Sequence, residues 1–325
     1  MKCINKFFCF TFVIILACSS LTGCGSKEFT IPYTIDSPVS SFSVVNNDSE
    51  DFASPFAASL CIANDDVLGK TDIDMTNATV AGLFDLYNSK TLYAKNIHQR
   101  MNPASITKIM TALVALKYGN MEDVVTISEN IVFNESGVQV IGLKKGDQVT
   151  LDQLMHMMLI YSANDAAVAI ADYIGGSVDQ FAEMMNQEAL SLGATESCFK
   201  NPHGLTTDGH YTTAYDLYLI FNEDIKYDLF NEIINMDKYS TVYKNADGED
   251  VEVNIQTTNL FLRGTFKAPD QVTVIGGKTG TTNAAGHCLI IHSKDTQGRS
   301  YISVILQSTE STVMYQEMAD LLGEI

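Results

Sequence analysis

The apolar residues of this chain change period twice, and that change limits the folds open to it. In the first segment, residues 80–87 and 91–94 flank Asn88-Ser89-Lys90, the pattern of a hairpin. The period then becomes helical. Asn102 is the expected N-cap of a first helix, with Pro103 in its first turn and Gly119 as its terminator. Ile106, Met110 and Leu113 supply that helix with an apolar stripe. Thr150-Leu151-Asp152-Gln153 has capping-box spacing, and Leu151, Leu154, Met155, Met158 and Leu159 form a face broad enough for a central helix. Two more helices are expected over 164–174 and 177–192, broken by Gly175-Gly176, and another opens at Thr213. From about Tyr239 a period of two returns. Residues 241–243 and 251–255 can pair across Asn245-Ala246-Asp247-Gly248, and 272–275, 288–292 and 301–306 read as further strands. A last helix covers 311–322. Strands at both ends of a mainly helical middle predict an α+β fold, with helices packed on an antiparallel sheet whose edges come from the two chain halves.

The 46% hydrophobic and 18% charged content of the 325 residues fits a folded protein, with room for one large domain or two ordinary ones. The N-terminus reads as an export signal. Lys2 and Lys6 precede an apolar run over 7–17, too short to span a membrane but suited to a signal peptide. It leads to Leu21-Thr22-Gly23-Cys24, which resembles the bacterial lipoprotein processing box; Ile15-Leu16-Ala17-Cys18 is a weaker competitor. The expected organisation is a signal peptide over 1–23, a lipidated Cys24 holding the exported protein to the membrane, a flexible tether over 24–57 rich in Ser, Thr, Asn, Asp and Pro, and a catalytic domain over 58–325. Cleavage removes Lys2 and Lys6 and leaves the chain two charges more acidic than its formal −19, which argues against nucleic acid as a partner. Cys61, Cys198 and Cys288 then remain, an odd number too scattered for a structural zinc site, and buried free thiols are expected. No metal or cofactor is implied.

Three short strings carry chemistry: Ser105-Ile106-Thr107-Lys108, Ser162-Ala163-Asn164 and Lys278-Thr279-Gly280. Ser105 and Lys108 fall three residues apart on one helix face, where the lysine can take the serine proton if its pKa is lowered by burial or by a second cation. Lys278 is that second cation. A hydroxyl and an amide at Ser162 and Asn164 can relay a proton and hold substrate backbone, or simply cap a helix. Around Lys278 a phosphate loop is excluded, because it needs glycine where this chain has Val272. As a strand, the glycines let a substrate backbone lie against the edge, Lys278 and Thr279 can bind a terminal carboxylate, and the N–H groups of Thr281 and Ser105 can form an oxyanion hole.

In this order and spacing the strings match the S-x-x-K, S-x-N, K-T-G set of penicillin-recognising active-serine enzymes. The segment over 102–112 resembles the nucleophile segment of the D-alanyl-D-alanine carboxypeptidases, the low-molecular-weight penicillin-binding proteins. The stretch from Asn201-Pro202-His203-Gly204-Leu205 to Leu217 resembles another of that family, expected to be scaffold, with neither His203 nor His210 acting as a base. The resemblance runs from about Ala81 to the C-terminus. It implies a β-lactamase/transpeptidase-like fold, Ser105 as nucleophile, Lys108 as general base, Ser162 as proton relay and Asn164 as a substrate-binding amide. It further implies peptidoglycan stem peptides ending in D-Ala-D-Ala as substrate and β-lactams as inhibitors. Relatives use an arginine after K-T-G for the substrate carboxylate; Arg299 is the only one there and fits poorly. Many also carry a C-terminal β-sandwich and anchoring helix, whereas this chain stops at Ile325, so the lipid would replace that anchor. Two alternatives stay open. One is a serine β-lactamase, although Glu196 lacks the E-x-x-L-N context; the other is a non-catalytic penicillin-sensing or peptidoglycan-binding lipoprotein.

Overall fold

A computed structural model of the chain describes residue 57 and residues 59–325 other than 134 and 136. The expected signal peptide, Cys24 and nearly all of the tether lie outside the described residues. Everything below belongs to the compact unit Pro55–Ile325.

Strands β1 (Ala78–Asp85) and β2 (Lys90–Lys95) form the expected hairpin. Its turn is set by the Asp85 carboxylate, which accepts from the Tyr87 and Asn88 N–H groups and the Asn88 amide, while Ser89 takes a left-handed φ of 51°. Two short strands, β3 (Val124–Thr126) and β4 (Gln148–Thr150), and a hairpin, β5 (Lys238–Lys244) and β6 (Asp250–Gln256), follow. Then come β7 (Val272–Thr282), β8 (Gly286–Asp295) and β9 (Ser300–Ser308). The five-stranded antiparallel sheet has the order β2-β1-β9-β8-β7, so β1 pairs with β9 from the far end of the chain and the two edges do come from the two halves. A second sheet, β3-β4-β5-β6, is not foreseen by the apolar period. Its β3 and β4 are three residues each, too short to show alternation, and the β5–β6 hairpin joins them rather than the larger sheet.

The helices are α1 (Thr107–Tyr118), α2 (Leu151–Ile160), α3 (Asn164–Gly175), α4 (Val178–Ser191), α5 (Ala214–Asp224), α6 (Asp228–Asn235) and α7 (Ser311–Leu322). Thr150 and Gln153 make the expected capping box at α2, and Gly176 closes α3 with a φ of 77°. At α1 the expected terminator holds and the expected N-cap does not. Asn102 does not cap it, because a 3₁₀ turn, Ala104–Ile106, intervenes with no side-chain cap. Gly119 does terminate it, in an extended rather than a left-handed conformation; the glycine is needed for space, since a Cβ there would strike Leu151 and come 2.8 Å from the Ala115 carbonyl.

Both faces of the large sheet are covered. Cys288, Ile290, Ile302, Val304 and Leu306 face a core shared with α1 and α5, while Leu289, Ile291, Tyr301 and Ile305 face Met314, Tyr315, Met318, Leu321 and Leu322 of α7. From Thr107 to Ala115 every residue of α1 is buried, Lys108 included, so the helix that carries the first motif runs through the middle of the domain. Cys61 and Cys288 are buried free thiols as expected; Cys198 is only half-buried. No helix of the described residues is long and apolar enough to cross a membrane.

Candidate active site

Ser105 sits in the 3₁₀ turn that opens α1, behind Ala104, whose φ of 48° is left-handed and strained for a residue with a Cβ. One turn later Lys108 is fully buried. Its Nζ lies 2.9 Å from Ser105 Oγ, 2.9 Å from Asn164 Oδ1 and 2.8 Å from the His203 carbonyl oxygen. Asn164 is oriented by its own amide N–H, which donates to the Gln139 carbonyl at 2.9 Å, so its oxygen faces the lysine. The two carbonyl-type oxygens can only accept. A neutral amine satisfies both with its two N–H bonds, and its lone pair then faces the Ser105 hydroxyl. Burial, and next the charge of Lys278, push the Lys108 pKa well below that of an ordinary lysine, against a smaller opposing pull from Asp165. With Lys108 uncharged, the arrangement is that of a serine hydroxyl hydrogen-bonded to its base.

Ser162 and Lys278 form a second pair. Lys278 Nζ donates to Ser162 Oγ at 2.8 Å and to the Thr279 carbonyl at 2.8 Å, and burial pushes its pKa down to about 7. Ser162 has a left-handed φ of 66° and its hydroxyl does not cap α3, so the capping alternative for this residue is not what the structure displays. Asp165, beside them, holds the wall of the site. Its carboxylate accepts from the N–H groups of Ile141, Gly142 and Leu143 at 2.7–3.0 Å.

The third motif lies on the open edge of the large sheet. Gly280 allows β7 to press against the nucleophile turn, since a Cβ there would come 2.9 Å from the Pro103 carbonyl and 3.0 Å from the Ser105 nitrogen. Ser105, Ser162, Asn164, Thr279 and Thr281 all line one cleft of about 870 Å³. Lys108 and Lys278 lie buried behind it.

All the residues singled out in the three strings therefore converge. Three contributors had no signal as side chains: the carbonyls of His203 and Gln139, and Thr258, whose hydroxyl is 2.6 Å from that of Thr279. The 201–205 segment is scaffold in a specific sense, because it delivers a backbone acceptor to Lys108. Its imidazoles are occupied elsewhere. His203 Nδ1 accepts from the Leu205 N–H and His210 bridges Lys200 and Thr107, while burial lowers their pKa values to about 3 and about 4. Glu196 pairs with Arg100 at 2.6 Å on the surface, and Arg299 pairs with Asp295 at 2.6 Å; neither lines the cleft.

Residues 69–310 match the family model described as D-alanyl-D-alanine carboxypeptidase. The chain is similar to D-alanyl-D-alanine carboxypeptidase DacF of Bacillus subtilis (strain 168), with 36% identity over 71% of this chain and 58% of that one. It is likewise similar to DacC of Escherichia coli (strain K12), with 34% identity over 74% of this chain and 59% of that one. The chain thus spans a little under two thirds of these relatives' length. Among solved structures it resembles the Streptomyces K15 DD-transpeptidase, at 26% identity and a TM-score of 0.71 over 78% of this chain and 98% of that one. A D-alanyl-D-alanine carboxypeptidase from Mycobacterium tuberculosis H37Rv matches at 26% identity and a TM-score of 0.70 over 80% and 95% of the two chains.

Proposed function

We propose that this chain, which belongs to the D-alanyl-D-alanine carboxypeptidase family, removes the terminal D-alanine from peptidoglycan stem peptides through an acyl-enzyme on Ser105. The observation that carries this reading is the set of partners around Lys108 Nζ, with two acceptors taking its N–H bonds and Ser105 Oγ on its third side. Ser105 Oγ attacks the carbonyl carbon between the two D-alanines as its proton passes to Lys108. The oxyanion is met by the N–H groups of Ser105 and Thr281. The C–N bond then breaks, and the departing D-alanine amine takes a proton from Lys108 through Ser162 and Lys278, which are already hydrogen-bonded to each other. Water attacks the ester and gives a proton to Lys108, which returns it to Ser105 Oγ as the acyl C–O bond breaks, freeing the shortened peptide and the serine. Asn164 and the β7 edge hold the substrate backbone, and Thr279 faces its terminal carboxylate. A β-lactam, a strained amide of similar shape, acylates the same serine.

The test is D-alanine release from diacetyl-Lys-D-Ala-D-Ala. The wild type releases it and Ser105→Ala does not; no release by the wild type, or equal rates, overturns the proposal. The same experiment with penicillin separates the lactamase reading. The acyl-enzyme is expected to last minutes, and turnover within seconds would favour a lactamase.

The pH dependence of acylation follows from the two lysines. Lys108 must be uncharged, and the charge of Lys278 is one cause of its lowered pKa. Lys278→Gln removes that like charge, so Lys108 protonates at higher pH. The acid limb of the rate of acylation by a fluorescent penicillin therefore moves upward in pH in the variant, on top of any loss in rate. An acid limb that stays in place would mean the two lysines are not coupled.

The family acts on peptidoglycan outside the cytoplasm, which supports an exported enzyme. We assign its membrane attachment to a lipid on Cys24, with residues 1–23 removed, 24–57 as tether and 58–325 as the catalytic domain. Palmitate labelling of the wild type, lost in Cys24→Ala, is the expected result.

A further inference from the structure

Thr258 follows β6 in a short segment fixed from three directions. Its N–H donates to the Ile160 carbonyl at the end of α2, two residues before Ser162. Tyr315 of α7 donates its hydroxyl to the Thr258 carbonyl and accepts from the Leu260 N–H. The Thr257 N–H donates to the Asp237 carbonyl. This leaves the Thr258 side chain directed at the K-T-G strand, with its Oγ1 2.6 Å from Thr279 Oγ1 and both residues lining the cleft.

Two hydroxyls in contact share one hydrogen bond and keep one proton in reserve. When Thr258 donates, Thr279 accepts and becomes a better donor through its own proton, because hydrogen bonds in a chain polarise one another. What that proton meets is decided by charge. Among the described residues, those lining the cleft include one acid, Glu135, and no arginine, lysine or histidine, and the nitrogens of Lys108 and Lys278 are turned toward Ser105 and Ser162. Arg299 is held by Asp295 outside the cleft. At Thr279 an anionic end of a substrate therefore meets hydroxyls, with Arg263 near enough for its charge to act on Tyr315 at the cleft wall.

We propose that Thr258 is a positioning residue for Thr279, and that the Thr258–Thr279 hydroxyl pair sets the preference of this cleft for a terminal carboxylate over a neutral end. This rests on the proposed function for the identity of the substrate. A hydrogen bond to a charged group is worth more than one to a neutral group, so loss of the relay falls on the acid and spares its amide.

The experiment compares diacetyl-Lys-D-Ala-D-Ala with its C-terminal primary amide, using wild type, Thr258→Val and Thr258→Ser. Each peptide is measured both as a substrate and as a competitor of penicillin acylation of Ser105. In Thr258→Val the acid is expected to lose about tenfold in KM and in competition, with kcat changed less, while the amide stays within about twofold. Thr258→Ser restores the acid. Equal losses for both peptides would make Thr258 merely structural and overturn the proposal, as would no loss for either. If the wild type releases no D-alanine while competition still separates acid from amide, the carboxypeptidase reading fails and the hydroxyl relay stands.

Discussion

Lys108→Met lowers acylation of Ser105 by penicillin and D-alanine release from peptide by about a thousandfold, the scale of a lost general base. Methionine keeps the length and bulk of the side chain but has no lone pair to take the Ser105 proton. Its effect on folding is expected to be small because two contributions oppose. The Asn164 and His203 oxygens lose a donor, at a cost of about 1–3 kcal/mol each. Against this, an amine that is fully buried and disfavoured in its charged form is removed from the core. The melting temperature should therefore stay within several degrees of the wild type, and circular dichroism melting checks this. A variant that melts normally and acylates at more than a tenth of the wild-type rate would show that the base lies elsewhere, with Lys278 the next candidate. A hydroxyl lacking its base also separates chemistry from recognition. Competition by the peptide should survive in Lys108→Met, since Thr279, Thr281 and the β7 edge are untouched.

Why Lys108 was readable in advance, and its partners were not, is a matter of which atoms the chemistry uses. Ser105, Lys108, Ser162, Asn164 and Lys278 contribute side chains, and side-chain identity at fixed spacing is what a sequence displays. The acceptors that make Lys108 a base include the His203 carbonyl, and the Asn164 orientation depends on the Gln139 carbonyl. A carbonyl exists at every residue, so nothing in the letters marks these two. The large sheet was legible because its strands are six to eleven residues long and strongly apolar, with the central pair β1 and β9 buried almost throughout. The second sheet was not, since a three-residue strand such as β3 shows one buried side chain and no period. Caps divide the same way. Thr150 acts through its own side chain and was visible, whereas the start of α1 is set by a strained turn at Ala104 that propensity does not encode. Thr258 lay in a segment that no period or motif singled out, and only the fold brings it to Thr279.

Gly204→Ala should be the most damaging change outside the side chains that do chemistry. Gly204 has a φ of 87°, and a Cβ built there would overlap the Ala104 carbonyl and come 2.7 Å from Thr107 Oγ1. Left-handed φ alone costs an alanine about 1 kcal/mol. The overlap is with backbone, which cannot rotate away as a side chain can, so the total should exceed about 3 kcal/mol and lower the melting temperature by about 10 °C. Relief can come in two directions and both harm the site. If the 201–205 segment retreats, the His203 carbonyl leaves Lys108, which loses an acceptor that holds its lone pair toward Ser105. If the Ala104 turn retreats instead, the Ser105 N–H swings away from the oxyanion position. Either displacement should reduce kcat/KM by about a hundredfold or more, the order seen when one oxyanion donor is lost. Gly193→Ala is the control, because its φ of 81° carries the same conformational penalty with no atom within 4 Å of the new Cβ. It should melt about 3 °C lower and retain wild-type activity. If Gly204→Ala behaved like Gly193→Ala in both melting and turnover, the 201–205 segment would not be what holds the nucleophile turn in place. A large loss in Gly204→Ala, with Gly193→Ala nearly silent, would trace the geometry of Ser105 and Lys108 to a glycine that makes no contact with substrate.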